Sequence, residues 1–379
     1  MKKRLQDLKI GLLGGGQLGR MLLQEATNLD LKIAVMDPSE EAPCRYLTHE
    51  FAHGDFRDFD AVYAFGKDKD IVTIEFEDVN ADALEALEKE GVQVFPEPRV
   101  LKLIKDKGLQ KQFYQNHQIP TAPFVLIENK QEIPNAGMET PFFQKLRTGG
   151  YDGYGVRKIT ATDNLEHAFD KPSVLEAMAD IEKEISVIVS RNTEGEIATF
   201  PVVEMEFNPE SNMVQFLFAP STLPEQKQQE ARSLAVKIMK ALQMTGILAV
   251  EMFYLKNGDI WVNEMAPRPH NSGHHTIEAN FTSQYEQHLR SITGLPPGNT
   301  ETILPSVMVN LLGEKGYSGK PVYHSLEEVV RMPGVYIHLY GKSTTKDFRK
   351  MGHVTILAPT LQEAKEKGTI ILDKLRVKA

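Results

Sequence analysis

The sequence predicts an open α/β domain at its start, an α+β domain with an antiparallel sheet and a glycine-rich lid in its middle, and a small mixed domain at its end. Three observations lead there. Short apolar runs alternate with amphipathic helical patterns over roughly the first hundred residues, a βαβαβ order. From Val174 to Phe218, strand-like runs follow one another across turns with no helical pattern between them. Asn257-Gly258 then stands between two apolar-rich runs, the strongest short-range signal for a hairpin.

The N-terminal unit begins with a strand over Lys9–Leu13, the loop GGGQLGRM, a helix through Leu22, Leu23 and Ala26, and a strand over Lys32–Met36 ending at Asp37. Gly14, Gly16 and Gly19 fit G-x-G-x-x-G between strand and helix, with an acidic residue about 20 positions on, as in dinucleotide-binding loops. Three readings stay open on these residues: an NAD or FAD site, a turn that only packs helix on strand, or a helix N-terminus that holds a substrate phosphate. A strand over Asp70–Glu75, a helix over Ala81–Glu90 and a strand over Val92–Phe95 complete the domain, and Pro96 and Pro98 close it, giving 1–98.

A single helix is predicted over Arg99–His117, and its Lys102, Lys105, Lys107 and Lys111 are expected in solvent. After the connector IPTAPF, a strand over Phe142–Arg147 leads into TGGYDGYG, where Gly149, Gly150, Gly153 and Gly155 fall close together. Successive backbone N–H groups in such a loop can close on an anion, and the loop can move as a lid. It lacks the G-K-[ST] ending of a Walker A loop. Strands over Val174–Ala177, Glu184–Ser190, Glu196–Phe207 and Met213–Phe218 precede a helix over Pro224–Gln243, whose Ala231, Leu234, Ala235, Ile238, Ala241 and Leu242 form a core stripe. A helix over Ile277–Thr293 follows the hairpin. LPPGN ends this domain, giving 99–295 with a lid unit of about 119–178. The remainder, 296–379, mixes strands over Ser306–Leu312, Val335–Tyr340 and His353–Leu357 with a helix over Leu361–Leu375.

Pairing centred on Asn257-Gly258 sets Lys256 opposite Asp259, Leu255 opposite Ile260, Phe253 opposite Val262 and Glu251 opposite Glu264. Alternation then places both glutamates on the face that carries Phe253, Leu255, Ile260 and Val262. Facing like charges destabilise a sheet, and carboxylates on an apolar face cost more still. A hard divalent cation shared by the two relieves both, and Mg²⁺ held by one or two carboxylates usually also holds phosphates. A slipped register leaves both glutamates in solvent.

The chain has 379 residues, a net charge of -9 and one cysteine, Cys44. That length implies two or three domains. The acidic balance argues against nucleic acid as main partner, and the single cysteine excludes an intrachain disulfide and a thiolate zinc cluster. No apolar run approaches a membrane span, and the start lacks a signal-peptide pattern, so a cytoplasmic enzyme is expected. HNSGHH does not form H-E-x-x-H, so zinc is not expected there either.

A glycine loop after a strand lysine, an antiparallel sheet and a two-carboxylate hairpin, in that order, resemble the ATP-grasp superfamily. GGGQLGRM, RTGGYDGYG and NEMAPRPHNSGHHT narrow the likeness to the 5-(carboxyamino)imidazole ribonucleotide synthases of purine biosynthesis. That resemblance implies a pre-ATP-grasp domain, an ATP-grasp domain and a small C-terminal domain. It also implies ATP, bicarbonate and 5-aminoimidazole ribonucleotide as reactants, Mg²⁺ (two ions with ATP, Mn²⁺ as a substitute) as cofactor, and a homodimer. By the same likeness Lys107 and Lys145 reach the ATP phosphates, and Gly150, Tyr151, Asp152, Gly153, Tyr154, Gly155 and Val156 cover them. Glu176, Ala177, Met178 and Ala179 read adenine, Glu184 takes the ribose hydroxyls, Asn263 lies by the phosphates, and Glu251 and Glu264 are the metal carboxylates. Gln17, Arg20, Glu75, Tyr151, Asp152 and Asn271 face the ribonucleotide, Lys342 and Arg349 grip its phosphate, and Arg268 and His270 serve carboxylation together with Lys342. Tyr154, where relatives often have Lys or Arg, and Phe207, where they usually have His, depart from the pattern. Neither carries an assigned catalytic role.

Overall fold

A computed structural model describes residues 3–150, 154–161, 165–208 and 213–379. The first hundred residues build β1 (Ile10–Leu13), α1 (Gln17–Asn28), β2 (Ile33–Asp37), β3 (Phe51–His53), α2 (Phe59–Gly66), β4 (Ile71–Ile74), α3 (Ala81–Lys89) and β5 (Gln93–Phe95). All pairs are parallel in the order β3-β2-β1-β4-β5. The inner strands β1, β2 and β4 are buried along almost their whole length because helices cover both faces of such a sheet. Strand β3 and helix α2 lie in a stretch from which no element was expected. Their apolar runs are too short to give a period.

The expected single helix after β5 is two, α4 (Pro98–Lys105) and α5 (Lys107–Asn116). Asp106 between them leaves the helical region (φ -112, ψ 108), and its carboxylate accepts from Gly108 N at 2.7 Å and Leu109 N at 3.1 Å. A side chain that captures those N–H groups starts a new helix instead of continuing the old one. Arg147 closes on the same carboxylate, with Nη2 at 2.7 Å. We therefore expect Asp106→Ala to lose about 2 kcal/mol of stability in denaturant unfolding, the sum of a lost cap and a broken ion pair.

The next unit is a four-stranded antiparallel sheet of β6 (Phe124–Ile127), β7 (Phe142–Leu146), β8 (Val156–Ile159) and β9 (Ser173–Ala177), in the order β6-β9-β7-β8. A large sheet follows, from β10 (Ile181–Arg191), β11 (Ile197–Thr199), β12 (Val203–Phe207), β13 (Val214–Ala219), α6 (Glu225–Leu242), β14 (Gly246–Leu255), β15 (Ile260–Ala266), α7 (Thr276–Ala279) and α8 (Gln284–Thr293). Pro201 splits the single strand expected over 196–207 into β11 and β12, since proline cannot donate to a ladder. The predicted helix over 277–293 is likewise broken, and Ser283 caps α8 by accepting from Glu286 N.

The chain ends in β16 (Ser306–Leu312), β17 (Val322–His324), α9 (Leu326–Val329), β18 (Val335–Leu339), β19 (Lys350–Leu357), α10 (Leu361–Lys374) and β20 (Arg376–Lys378). Strand β16 pairs with β13, so the C-terminal strands continue the central sheet: β15-β14-β10-β12-β13-β16-β19-β18, with β11 paired to β10. One face of its central part packs on α6 through Ile185, Val187, Val250, Met252, Ile260 and Val262. The opposite face packs in part on α8 and on the loop around Ser272, and the remainder around Glu251 lines the cleft. Among the described residues no helix is long and apolar enough to cross a membrane.

Candidate active site

The hairpin brings Glu251 opposite Glu264, as expected, but by another route. Nearer the turn the pairs are Met252 with Val262, Phe253 with Trp261 and Tyr254 with Ile260, one residue off the symmetric register. A β-bulge restores the offset between Glu251 and Met252, leaving Asn263 as the extra residue of β15. The expected apolar setting is therefore corrected. Ile260 and Val262 face the core, the bulge turns Glu264 to the other side, and Met265 returns to the core. Glu251, between the buried Val250 and Met252, shares the cleft face with Glu264.

Lys107, at the first position of α5, donates to Glu264 Oε2 at 2.6 Å. Its charge holds the Glu264 carboxyl below the usual carboxylate range. Burial, and then the charge of Glu264, push Glu251 up instead, and Glu184 adds to that. The pair thus holds one ready anion and one carboxyl that resists ionising beside it. No group of three or more His, Cys, Asp or Glu able to hold a metal occurs among the described residues. Two facing carboxylates alone fit a hard divalent ion that takes its other ligands from bound phosphates.

On the opposite wall, Lys145 of β7 stands 3.2 Å from Asn263 Oδ1 and 2.8 Å from Glu176 Oε2. Gly150 sits over this corner. A Cβ on Gly150 would come within 3.9 Å of Lys107 Cε and 3.0 Å of the Tyr154 carbonyl oxygen. Gly155 is buried, Tyr154 is exposed and Val156 opens β8. Tyr151, Asp152 and Gly153 lie outside the described residues. Glu176 and Ala177 end β9, Met178 and Ala179 lie in the short connection to β10, and Glu184 lies on β10 with its carboxyl pushed up to about 7 by burial.

The loop after β15 supplies the other side. His270 Nε2 is 3.6 Å from Glu251 Oε1, while its Nδ1 accepts from Ser272 N and lies 3.0 Å from Ser272 Oγ. Burial, then the charges of Arg268 and Lys350, push the imidazole down to about 3, so it is neutral with its proton on Nε2. Arg268 Nε lies 2.9 Å from Glu77 Oε2, which ties this loop to the N-terminal domain. Asn271 exchanges amide hydrogen bonds with Asn310, both at 2.9 Å.

The glycine loop is not presented to a pyrophosphate. Gly16 N and Gly19 N both donate to the half-buried Glu75 carboxylate, and Gly15 N donates to Asp37 Oδ2 at 2.7 Å. Gly14 has φ +98 and passes so close that a Cβ would lie 2.5 Å from Glu75 Cγ. Anions of the protein itself occupy the donors a dinucleotide needs. Gln17 opens α1 beside this loop, and Arg20 follows one turn on. Lys342 and Arg349 both belong to the β18–β19 loop. Lys342 Nζ donates to the Lys350 carbonyl at 2.7 Å, and Arg349 Nη1 donates to Thr344 O at 2.8 Å. Sequence reasoning missed Glu77, Lys350 and the burial of Lys111. Only Lys111 left a trace, lying four residues after Lys107 and hence on the same helix face.

The chain is similar to known proteins along nearly its whole length. The chain matches the ribonucleotide synthetase preATP-grasp domain over residues 8–105, the ATP-grasp domain over 112–285, and the phosphoribosylaminoimidazole carboxylase C-terminal domain over 306–367. It is 36% identical over 370 residues to the N5-carboxyaminoimidazole ribonucleotide synthase of Staphylococcus epidermidis, covering 94% of each chain. The solved N5-carboxyaminoimidazole ribonucleotide synthetase of Thermotoga maritima superposes with a TM-score of 0.91 at 40% identity, over 98% of this chain and 99% of that one. The Aspergillus clavatus synthase, solved with ADP and 5-aminoimidazole ribonucleotide, gives 0.89 at 31% identity, over 98% and 99%. The chain spans 67% of the longer phosphoribosylaminoimidazole carboxylase of Vigna aconitifolia. With the hairpin carboxylates, the two cleft lysines and matches along nearly its whole length, the chain belongs to the N5-carboxyaminoimidazole ribonucleotide synthase family of ATP-grasp enzymes.

Proposed function

We propose that this protein is an ATP-dependent carbon–nitrogen ligase that carboxylates the exocyclic amine of 5-aminoimidazole ribonucleotide with bicarbonate, releasing ADP and phosphate. The observation that carries the reading is the cleft-facing pair Glu251 and Glu264, with Lys107 on one carboxylate and the His270 loop beside the other.

Bicarbonate is a poor electrophile and needs activation. Its oxygen attacks the γ-phosphorus, the bond to the β-phosphate oxygen breaks, and ADP leaves from the carboxyphosphate formed. The amine nitrogen then attacks the carboxyl carbon, either directly or after carbon dioxide is freed, and phosphate departs as the amine gives up a proton. Phosphoryl transfer of this kind rests on positioning and electrostatics. Lys107 and Lys145 supply fixed positive charge where the phosphates lie. A divalent cation on Glu251 and Glu264, Mg²⁺ with Mn²⁺ as substitute, supplies neutralisation of phosphoryl charge when bound. The lid over Lys107 excludes water from a labile intermediate. Arg268, aimed by Glu77, offers its guanidinium to the carboxylate-bearing species. His270 starts as a neutral donor through Nε2. With Nδ1 already accepting from Ser272 N, it has no free lone pair toward the cleft, so it orients the reactants as a donor and the amine proton leaves with the departing phosphate.

A homodimer, supported by the family likeness, and a cytoplasmic location, expected from the sequence pattern, are part of the proposal. An ADP-release assay tests the reaction: release is expected to require ATP, bicarbonate and the aminoimidazole ribonucleotide together. Release that ignores the ribonucleotide, or that runs with formate in place of bicarbonate, would overturn it.

A further inference from the structure

We infer that Lys111 is a positioning residue for the nucleotide site, setting the place of the Lys145 ammonium through the carboxylate of Glu176. The inference rests on the nucleotide site proposed above. Lys111 is 3% exposed, far from the solvated lysine its sequence context suggests. Its Nζ donates to Thr121 Oγ1 at 2.6 Å and lies 3.4 Å from Glu176 Oε1. The other oxygen of Glu176 is 2.8 Å from Lys145 Nζ, and Glu176 is itself 4% exposed. Lys145 reaches Asn263 Oδ1, while Thr121 Oγ1 donates to the Val262 carbonyl at 2.7 Å. The two ends of the chain therefore meet at adjacent residues of β15, next to Glu264.

This ring joins four pieces of structure: α5, the connector before β6, the small sheet through β7 and β9, and β15. Burying one ammonium and a carboxylate, with a second ammonium half-buried beside them, is costly unless each is paired. Here burial pushes Lys111 down to about 8, yet Lys145 and Lys111 outweigh burial at Glu176 and keep it ionised. One carboxylate is thus shared between two cations, and its position is a balance between them. Without Lys111 the carboxylate recentres on Lys145 and draws that ammonium from the phosphates. Glu176 also opens the Glu176–Ala179 segment proposed to read adenine, so its displacement reaches the base as well. Lys111 itself never has to touch the nucleotide.

The test compares the wild-type chain with K111M, E176Q and K111M/E176Q. The measurements are ADP binding by calorimetry and, for turnover, KM for ATP and for the ribonucleotide. K111M is expected to weaken ADP binding and raise KM for ATP by ~10-fold, with KM for the ribonucleotide within ~2-fold of wild type. On the E176Q background, K111M is expected to add nothing. K111R, which keeps a cation, is expected to recover most of the loss. A K111M protein with unchanged ADP affinity, a parallel rise in both KM values, or a further loss on the E176Q background would each overturn the role. Should K111M alone fail to fold, the comparison of E176Q with the double variant decides. ADP binding separates this inference from the reaction: a wild-type chain that binds ADP but does not carboxylate defeats the proposed function and leaves Lys111 to be judged by affinity.

Discussion

Glu264→Gln is expected to lower turnover by at least ~100-fold while leaving the fold intact. The substitution keeps volume and removes one charge from the facing pair. Lys107, 2.6 Å away, then loses the carboxylate that holds it in the cleft, and any shared cation loses half its protein ligands. Stability moves little, because the change also removes the repulsion that pushes Glu251 up. Glu264 is 45% exposed, so the altered group stands in the cleft and not in the core. Steady-state ADP release measures the loss, and a thermal melt within a few degrees of wild type shows that folding is untouched. Near-normal activity in a folded Gln variant would sink the claim that the hairpin pair does the chemistry.

Lys342→Ala is expected to raise KM for the ribonucleotide by ~30-fold, the worth of a charged hydrogen bond to phosphate, and KM for ATP by no more than ~3-fold. The asymmetry follows from position. Lys342 sits on the β18–β19 loop, after Gly341 at φ +72, and a Cβ on Gly341 would lie 3.4 Å from Arg20 Nη1 of α1. The loop therefore faces the N-terminal glycine loop and not the Lys107–Lys145 corner. Its own bond to the Lys350 carbonyl, 2.7 Å long, holds the ammonium in place. Equal effects on both reactants would remove Lys342 from the phosphate-binding role.

The readable parts of this protein were those that local chemistry decides. Turn residues mark the hairpin, the glycine loops mark close backbone approaches, and apolar periods mark the strands and α6. Each uses a few neighbouring residues, so each survives any later packing. What failed locally failed for identifiable reasons. Asp106 broke a helix that periodicity alone would continue, because its carboxylate had both a cap and Arg147 to satisfy. Asn263 shifted the register by one, and nothing in the alternation of β15 announces a bulge.

The sequence by itself determined the order of the units, the hairpin that carries Glu251 and Glu264, and the family likeness, because these follow from residue types at short spacing. The facing of the two glutamates needed the bulge at Asn263. Tertiary structure alone decided on which side of the sheet the glutamates stand, since a single bulge inverts the alternation. It also decided that the glycine loop binds Glu75 and Asp37, and that Lys111 is buried against Glu176. Those contacts join residues about 20 to 65 positions apart, where pairing depends on which surfaces meet once the chain has folded. A charge near a carboxylate is a site or a solvated ornament according to its burial, and burial is a property of the whole fold.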